Sequence, residues 1–271
     1  MQVIDRRRVR SSFHARAGDY DRHAVVQKRV LQRFAALLPA GSGIVRVLDI
    51  GSGTGILLQT LADRYPQARL TGLDLAPGMA MTARERLAGN DRVAFISADA
   101  EALPLGDACL DLVVSTSTLQ WLESLEKAFG EVRRVLRPGG RFCFALFGEQ
   151  TLFELRASYR AAVAAVGRGA VDRTQRFSSM ADVSSALSAT GFTREYLVSE
   201  LEIETHPDVA HLVRAIRNIG AGNAVQAPGR GLAERRVMLA MMEHYRREYA
   251  VEGAIPATYE VIYGVARVGG A

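Results

Sequence analysis

Three carboxylates and a glycine turn carry the chemistry this sequence offers. Gly51, Gly53 and Gly55 stand at alternate positions directly after the apolar run Val45 to Ile50, which contains Asp49. Such glycines let the chain turn sharply and bring its N–H groups, with those of a following helix, against a ligand. Asp74 ends the run Arg69 to Asp74, about 20 residues on, where a carboxylate accepts hydrogen bonds from both hydroxyls of a ribose. Asp99 follows the run Arg92 to Ala98, and a carboxylate there accepts from an adenine amino group while a nearby N–H serves the ring. Asp49 sets a negative charge beside the turn, which suits an ammonium or sulfonium and opposes a pyrophosphate. A dinucleotide turn needs a third glycine where this chain has Ile56.

A parallel sheet is what brings such residues to one edge, because its strand ends face a common crevice. Strands are expected at 46–50, buried on both faces, and at 69–74, 92–98, 110–115 and 141–147, with helices after the glycine turn, over 77–87 and over 125–136. Arg137-Pro-Gly-Gly140 is read as the stop between the last helix and strand. Beyond Gly148 the rhythm changes to helices over 151–166, 178–190, 208–219 and 232–249, an alternating strand over 193–205 and a closing strand over 258–267. The fold class is α/β: one domain, 1–271, with a seven-stranded Rossmann-like sheet and a helical cap inserted after strands five and six, over 148–176 and 206–252. Residues 1–38 form a helical lid, Asp5 to Ala17 and Ala24 to Leu38, joined through Tyr20, which either closes over a ligand or packs helix on helix.

The 271 residues, 48% hydrophobic, suffice for one large core. No stretch reaches the roughly 20 apolar residues of a membrane span, and the arginine-rich start lacks an apolar leader, so a cytoplasmic location is expected. Cys109 and Cys143 have no metal-ligand spacing and read as buried reduced thiols. A net charge of +5 draws acidic partners. The clusters at 6–8, 235–236 and 246–247 are the places for docking, and few aromatics interleave with them, which argues against single-stranded nucleic acid.

The stretches VLDIGSGTG (47–55), GLDLAPGM (72–79), SADAEALPL (97–105) and LRPGGRF (136–142) resemble the class I S-adenosylmethionine-dependent methyltransferases. That resemblance implies a sheet whose last strand is inserted antiparallel, Asp49, Gly51 and Gly53 toward the methionine part of S-adenosylmethionine, Asp74 on its ribose, and Asp99 with Ala100 on its adenine. AGDYDRHAVVQ (17–27), Ser115 through Gln120-Trp121, TLFELR (151–156), RNIGAGN (217–223) and TYEVIYGVA (258–266) are similar to the malonyl-acyl-carrier-protein O-methyltransferases of biotin synthesis. This likeness implies Tyr20 and Ser115 at both cofactor and reaction, Gln27, Leu75 and Met79 at the cofactor, and Gln120, Trp121 and Asn218 at the acceptor. It implies acyl carrier protein bearing malonyl-phosphopantetheine as partner, with no metal, nucleic acid or membrane. Thr116 stands where the family pattern expects asparagine.

A carboxylate acceptor is ionised at neutral pH, so no general base is needed, and none is evident; His14 and His23 lie nearest the lid. The planar fork of Arg156 matches a carboxylate, unless it pairs with Glu154 on the helix surface. Arg230, Arg235 and Arg236 are expected at the mouth of the cap, facing the carrier. Rival readings are a methyltransferase for a quinone precursor or other small acid, a cofactor-binding assembly partner without catalysis, and, against Ile56, a nicotinamide dehydrogenase.

Overall fold

The protein is described here as a computed structural model covering residues 5–41, 43–166, 175–222 and 232–270. Its frame is one seven-stranded sheet in the order β3-β2-β1-β4-β5-β7-β6. The strands are β1 (Arg46–Ile50), β2 (Arg69–Leu73), β3 (Val93–Ile96), β4 (Leu110–Thr116), β5 (Leu136–Phe147), β6 (Phe192–His206) and β7 (Ile255–Val268). The first five pair in parallel, and β7 runs antiparallel between β5 and β6, as the family resemblance implies. Chain order reverses between β1 and β4, which opens a crevice at their carboxyl ends.

Helices cover both faces, which is why the central strands are apolar on both sides. On one face α3 (Val25–Ala35), α4 (Ile56–Arg64), α7 (Phe153–Val166), α9 (Val209–Asn218) and α10 (Leu232–Tyr249) share a core with Val47, Leu112 and Cys143. On the other, α6 (Leu125–Val135) and α8 (Met180–Ala189) pack on Leu48, Val113 and Phe144. The remaining helices, α1 (Arg6–Arg16), the single turn α2 (Tyr20–His23) and α5 (Pro77–Arg86), gather at the crevice. Thus only the part of the expected lid before α3 lies over the crevice; Val26, Val30 and Phe34 anchor α3 in the main core. No helix among the described residues is long and apolar enough to cross a membrane.

Two local expectations change. Arg137-Pro-Gly-Gly140 does not separate helix from strand: α6 ends at Val135 and β5 begins at Leu136, pairing with Leu110 before the register shifts. The exposed Pro138 and Gly139, the latter at φ +79°, occupy that irregularity, where a missing N–H and a left-handed backbone are tolerated. Cys143 is a buried thiol whose pKa burial pushes up to about 12, but Cys109 is half-exposed, its Sγ 3.0 Å from the Gly106 carbonyl.

The stretches TLFELR and TYEVIYGVA turn out to be two sides of one corner. Glu260 accepts from the Gln150 N–H (2.7 Å) and the Ser199 hydroxyl (2.6 Å), and its carbonyl accepts from Gly148 (2.8 Å). Glu154 is fully buried and accepts from the backbone N–H and the hydroxyl of Thr258. Gly264 lies flat under Phe144, its partner across β5 and β7; a Cβ there would stand 2.2 Å from the Phe144 ring. Gly264→Ala should therefore overpack the β5–β7 core and cost about 1–3 kcal/mol in urea denaturation. An unchanged midpoint would mean that the ring moves aside freely.

Candidate active site

The crevice is built by the ends of four strands, β1 to β4, with α1 as its outer wall. At the end of β1, Gly51 (φ +72°), Gly53 (φ +52°) and Gly55 (φ +84°) all take the left-handed conformation that side chains disfavour. Gly51 has a second reason to lack a side chain: a Cβ would lie 2.0 Å from the Thr118 hydroxyl, so the chain after β4 rests directly on the turn. The Gly51 and Ser52 N–H groups donate to the Leu73 carbonyl at 2.7 and 3.0 Å, tying the turn to β2. Asp74 accepts from Gly53 N–H (2.9 Å) and Ala76 N–H (2.7 Å), so one carboxylate fixes both the turn and the start of α5. Burial raises the Asp74 pKa in spite of these two donors.

These elements enclose an open cleft of about 790 Å³ lined by Gly51, Gly53, Asp74, Leu75, Met79, Asp99, Ala100, Tyr20 and Trp121, all expected from the sequence. Arg6, Val9, Arg10 and Phe13 of α1 form its outer wall. Arg6 pairs with Asp99 and, at 2.9 Å, with Glu101. Burial pulls the Asp99 carboxyl up, but Arg6 and the Glu101 N–H outweigh it and hold the group below the usual carboxylate range. His14 accepts from Gly78 N–H (2.9 Å), and Asp21 holds the Thr54 hydroxyl (2.7 Å) and pairs with Arg86, so α1 and α2 are latched onto α5 and the turn.

A second cavity of about 460 Å³ adjoins the first and shares Phe13, Tyr20, Ser117 and Trp121 with it. Gln27, Gln120, Thr151, Phe177 and Tyr259 complete a lining in which no described residue is charged. Gln120 is fixed by donating to the Ser117 carbonyl (2.7 Å), and Phe13 packs edge-on against Trp121 at 5.6 Å. No histidine lines either cavity among the described residues.

Four expected residues lie elsewhere. Ser115 is wholly buried and donates to the Ile50 carbonyl at 2.9 Å, stitching β4 to β1; it lines neither cavity. Asn218, on the last turn of α9, lines neither. Arg156 stands behind the acceptor wall, its guanidinium 5.7 Å from the Phe177 ring and donating to the Glu149 carbonyl, while Glu154 is taken by Thr258. Asp49 lies beneath the cleft floor, both oxygens shielded and without a hydrogen-bond partner. The sequence gives it a negative charge; burial, then the charge of Asp74, pushes its pKa up to about 8, against that charge.

Among the lining residues not expected from the sequence are Phe13, Ser117, Thr151, Phe177 and Tyr259. Val9 and Phe13, four apart, are the only large apolar residues of α1, which was the available signal for an inward face. Ser117 takes φ +54°, a backbone strain that no local pattern announces. Of the expected docking arginines, Arg235 and Arg236 are exposed on α10, away from both cavity linings, and Arg230 lies outside the described residues.

Comparison with known proteins agrees with this architecture. Residues 48–144, from β1 to β5, match the methyltransferase domain family. A solved structure of the YcgJ protein of Bacillus subtilis superposes with a TM-score of 0.62 over 90% of this chain and 100% of that one, at 18% identity, a likeness of fold. A malonyl-[acyl-carrier protein] O-methyltransferase of Methylovorus is 40% identical over 97% of this chain and 88% of its own. The protein of that name from Geobacter sulfurreducens is 52% identical over 98% of this chain and its own full length. By that extent of likeness, the chain belongs to the malonyl-[acyl-carrier protein] O-methyltransferases.

Proposed function

We propose that the protein transfers the methyl group of S-adenosylmethionine to the free carboxylate of a malonyl thioester on acyl carrier protein. The methyl ester hides a charge that fatty-acid elongation enzymes refuse, and so primes pimeloyl synthesis for biotin. The observation that carries this reading is the uncharged acceptor cavity opening onto the acid-lined cleft through a shared wall. The cleft suits the cofactor: Asp74 would hold the ribose, Asp99 and Ala100 the adenine, and Gly51 and Gly53 the methionine part, with Leu75, Met79 and Tyr20 around it, whereas Gln27, expected at the cofactor, lines the acceptor cavity. The orphaned Asp49 carboxyl beneath supports a cationic ligand, since a positive charge nearby favours its ionised form. When bound, the cofactor supplies an electrophilic methyl group on a sulfonium.

The chain's own task is then to position an anion and keep water away. A carboxylate with a pKa near 4 is already the nucleophile, so no residue has to take a proton. Opposite charges are neutralised as the methyl moves, and an apolar surround stabilises that change relative to separated ions. Phe13, Trp121, Phe177 and Tyr259 supply the apolar walls, and Gln27, Gln120 and Thr151 supply neutral dipoles that orient the acceptor. Tyr20 borders both cavities and can close the reacting pair; burial, with the charges of Asp21 and Asp74, raises its pKa, so it stays a neutral phenol. Arg156 is our choice to attract the carboxylate from behind Phe177.

The decisive assay incubates the protein with labelled S-adenosylmethionine and malonyl carrier protein and looks for a methyl ester by intact mass; label on free small acids instead would favour a small-acid enzyme. Asp74→Ala should abolish S-adenosylmethionine binding in calorimetry, and unchanged affinity would overturn the ribose assignment. Arg156→Ala should raise the Michaelis constant for the malonyl substrate about tenfold with cofactor affinity retained, through the loss of one attracting charge behind the Phe177 wall; equal rates at limiting acceptor would remove Arg156 from the site.

Asp49 predicts a pH signature. A raised carboxyl pKa in the folded state means that its contribution to stability is full below the ordinary value near 4 and is lost as pH rises to about 8. The ligand-free protein should therefore lose stability between about pH 5 and 8, and Asp49→Asn should flatten that slope. Parallel slopes for both proteins in denaturant titrations would show that Asp49 is ionised throughout.

A further inference from the structure

The two helices that meet over the acceptor cavity are basic without exception. α1 carries Arg6, Arg7, Arg8, Arg10 and Arg16, α9 carries Arg214 and Arg217, and neither contains an aspartate or glutamate. They touch where Gly220, just past α9, faces Phe13: a Cβ on Gly220 would lie 3.1 Å from the Phe13 ring and 3.3 Å from its backbone. Phe13, Ile216 and Ile219 from these same segments line the acceptor cavity, so the two basic helices stand beside it.

Within α1 the two sides do different work. Arg6, Val9, Arg10 and Phe13 face the cofactor cleft, and Arg6 is engaged by Asp99 and Glu101. Arg7 and Arg8 point outward beside Ser11 and Ala15, which leave a low shelf between long cationic side chains. Among the described residues, Arg7, Arg8, Arg10, Arg16, Arg214 and Arg217 are exposed and have no carboxylate within ion-pair distance. The nearest exposed acids along the chain are the helix N-caps Asp5 and Asp208, which accept from the Arg8 and His211 N–H groups at 3.0 and 2.6 Å, and Asp19, which pairs with Arg22 at 3.5 Å.

We propose that the outer face of α1, continued by α9, is the docking surface for an acidic carrier domain that delivers its acyl group on a flexible arm into the cavity beneath. This rests on the carrier-linked acceptor proposed above and goes beyond it by naming the surface. An anionic membrane fits less well, because α1 turns its large apolar residues inward and shows the outside none to insert. Single-stranded nucleic acid would look for exposed aromatics, and the aromatic residue of α1 is packed on Trp121. Since the opposite side of α1 walls the cofactor cleft, a partner on this face also presses the lid shut over the bound cofactor.

The test uses the full chain with Arg7→Glu/Arg8→Glu and, separately, Arg214→Glu. Each should raise the Michaelis constant for malonyl carrier protein about tenfold at low salt, with turnover at saturation, cofactor affinity and activity on carrier-free malonyl-pantetheine unchanged. Wild-type carrier kinetics should weaken steeply up to about 0.3 M salt, and the variants should lose that slope. Fluorescence anisotropy of labelled carrier protein reads docking without chemistry: wild type binds and the variants do not. A wild type that binds carrier but forms no ester would sink the proposed function and leave this surface standing. Unchanged carrier binding in the variants, equal losses on both acceptors, or a loss produced only by Arg235→Glu/Arg236→Glu would overturn the surface. So would anionic vesicles or duplex RNA that capture wild type and not the variants while carrier binding stays the same.

Discussion

The absence of one carbon atom sets how the two halves of the site meet. With no Cβ on Gly51, the chain leaving β4 comes down onto the glycine turn until the Thr118 side chain fills the place that a Cβ would take. The next contacts lock this approach: Ser115 donates to the Ile50 carbonyl at 2.9 Å, and Ser117 N–H to the Ala145 carbonyl at 2.8 Å. The segment so pressed down carries Ser117, Gln120 and Trp121, which wall the acceptor cavity. The cofactor turn and the acceptor wall are therefore one rigid piece, fixed across three central strands. In-line transfer between two ligands needs that rigidity, because reactivity falls steeply with small errors of distance and angle.

Charge changes sign across this piece. Beneath and along the cleft stand Asp49, Asp74 and Asp99; the acceptor cavity has no charged lining among the described residues; the helices above it are rich in arginine. A cation is favoured at the bottom and an anion is drawn in at the top, with a low-polarity passage between them in which their attraction is least screened. The raised pKa of Asp49 fits this order: with no cation present, two neighbouring buried carboxylates do not both stay charged.

The parts of this arrangement that were legible in the sequence are those whose geometry is local. The glycine turn and Asp74 directly follow buried strands and Asp99 comes three residues after β3, and in a parallel sheet a strand's end fixes where the next residues lie. The sheet itself was legible because central strands are apolar on both faces and alternate with amphipathic helices. What stayed hidden depends on contacts distant in sequence. Ser115 looks like a site residue from its position, yet the parity of β4 turns it toward β1. Glu154 and Glu260 look like surface charges and are buried instead by Thr258, Gln150 and Ser199 from other elements. Arg137 to Gly140 reads as a break because proline and glycine usually are one, but it is an irregularity within β5, bracketed by the Leu136–Leu110 and Arg141–Leu112 pairs with β4.

The lid shows the same division between what is packed and what is pinned. Its third helix is part of the main core, with Val30 and Phe34 fully buried, and cannot leave without exposing the sheet. The first two helices are held mainly by polar contacts: Arg6 with Asp99 and Glu101, His14 with Gly78, Asp21 with Thr54 and Arg86. Partly exposed ion pairs of this kind contribute roughly 0–1 kcal/mol each, so releasing them costs little beside unpacking a core helix. Val9 and Phe13 add a modest apolar seal that is complete only when the helix lies down. Ala24, the cap residue shared by α2 and α3, therefore separates the pinned part from the packed part. A cover that opened at low cost would have to draw on weak contacts of this kind, and in this chain they are confined to the segment ahead of α3.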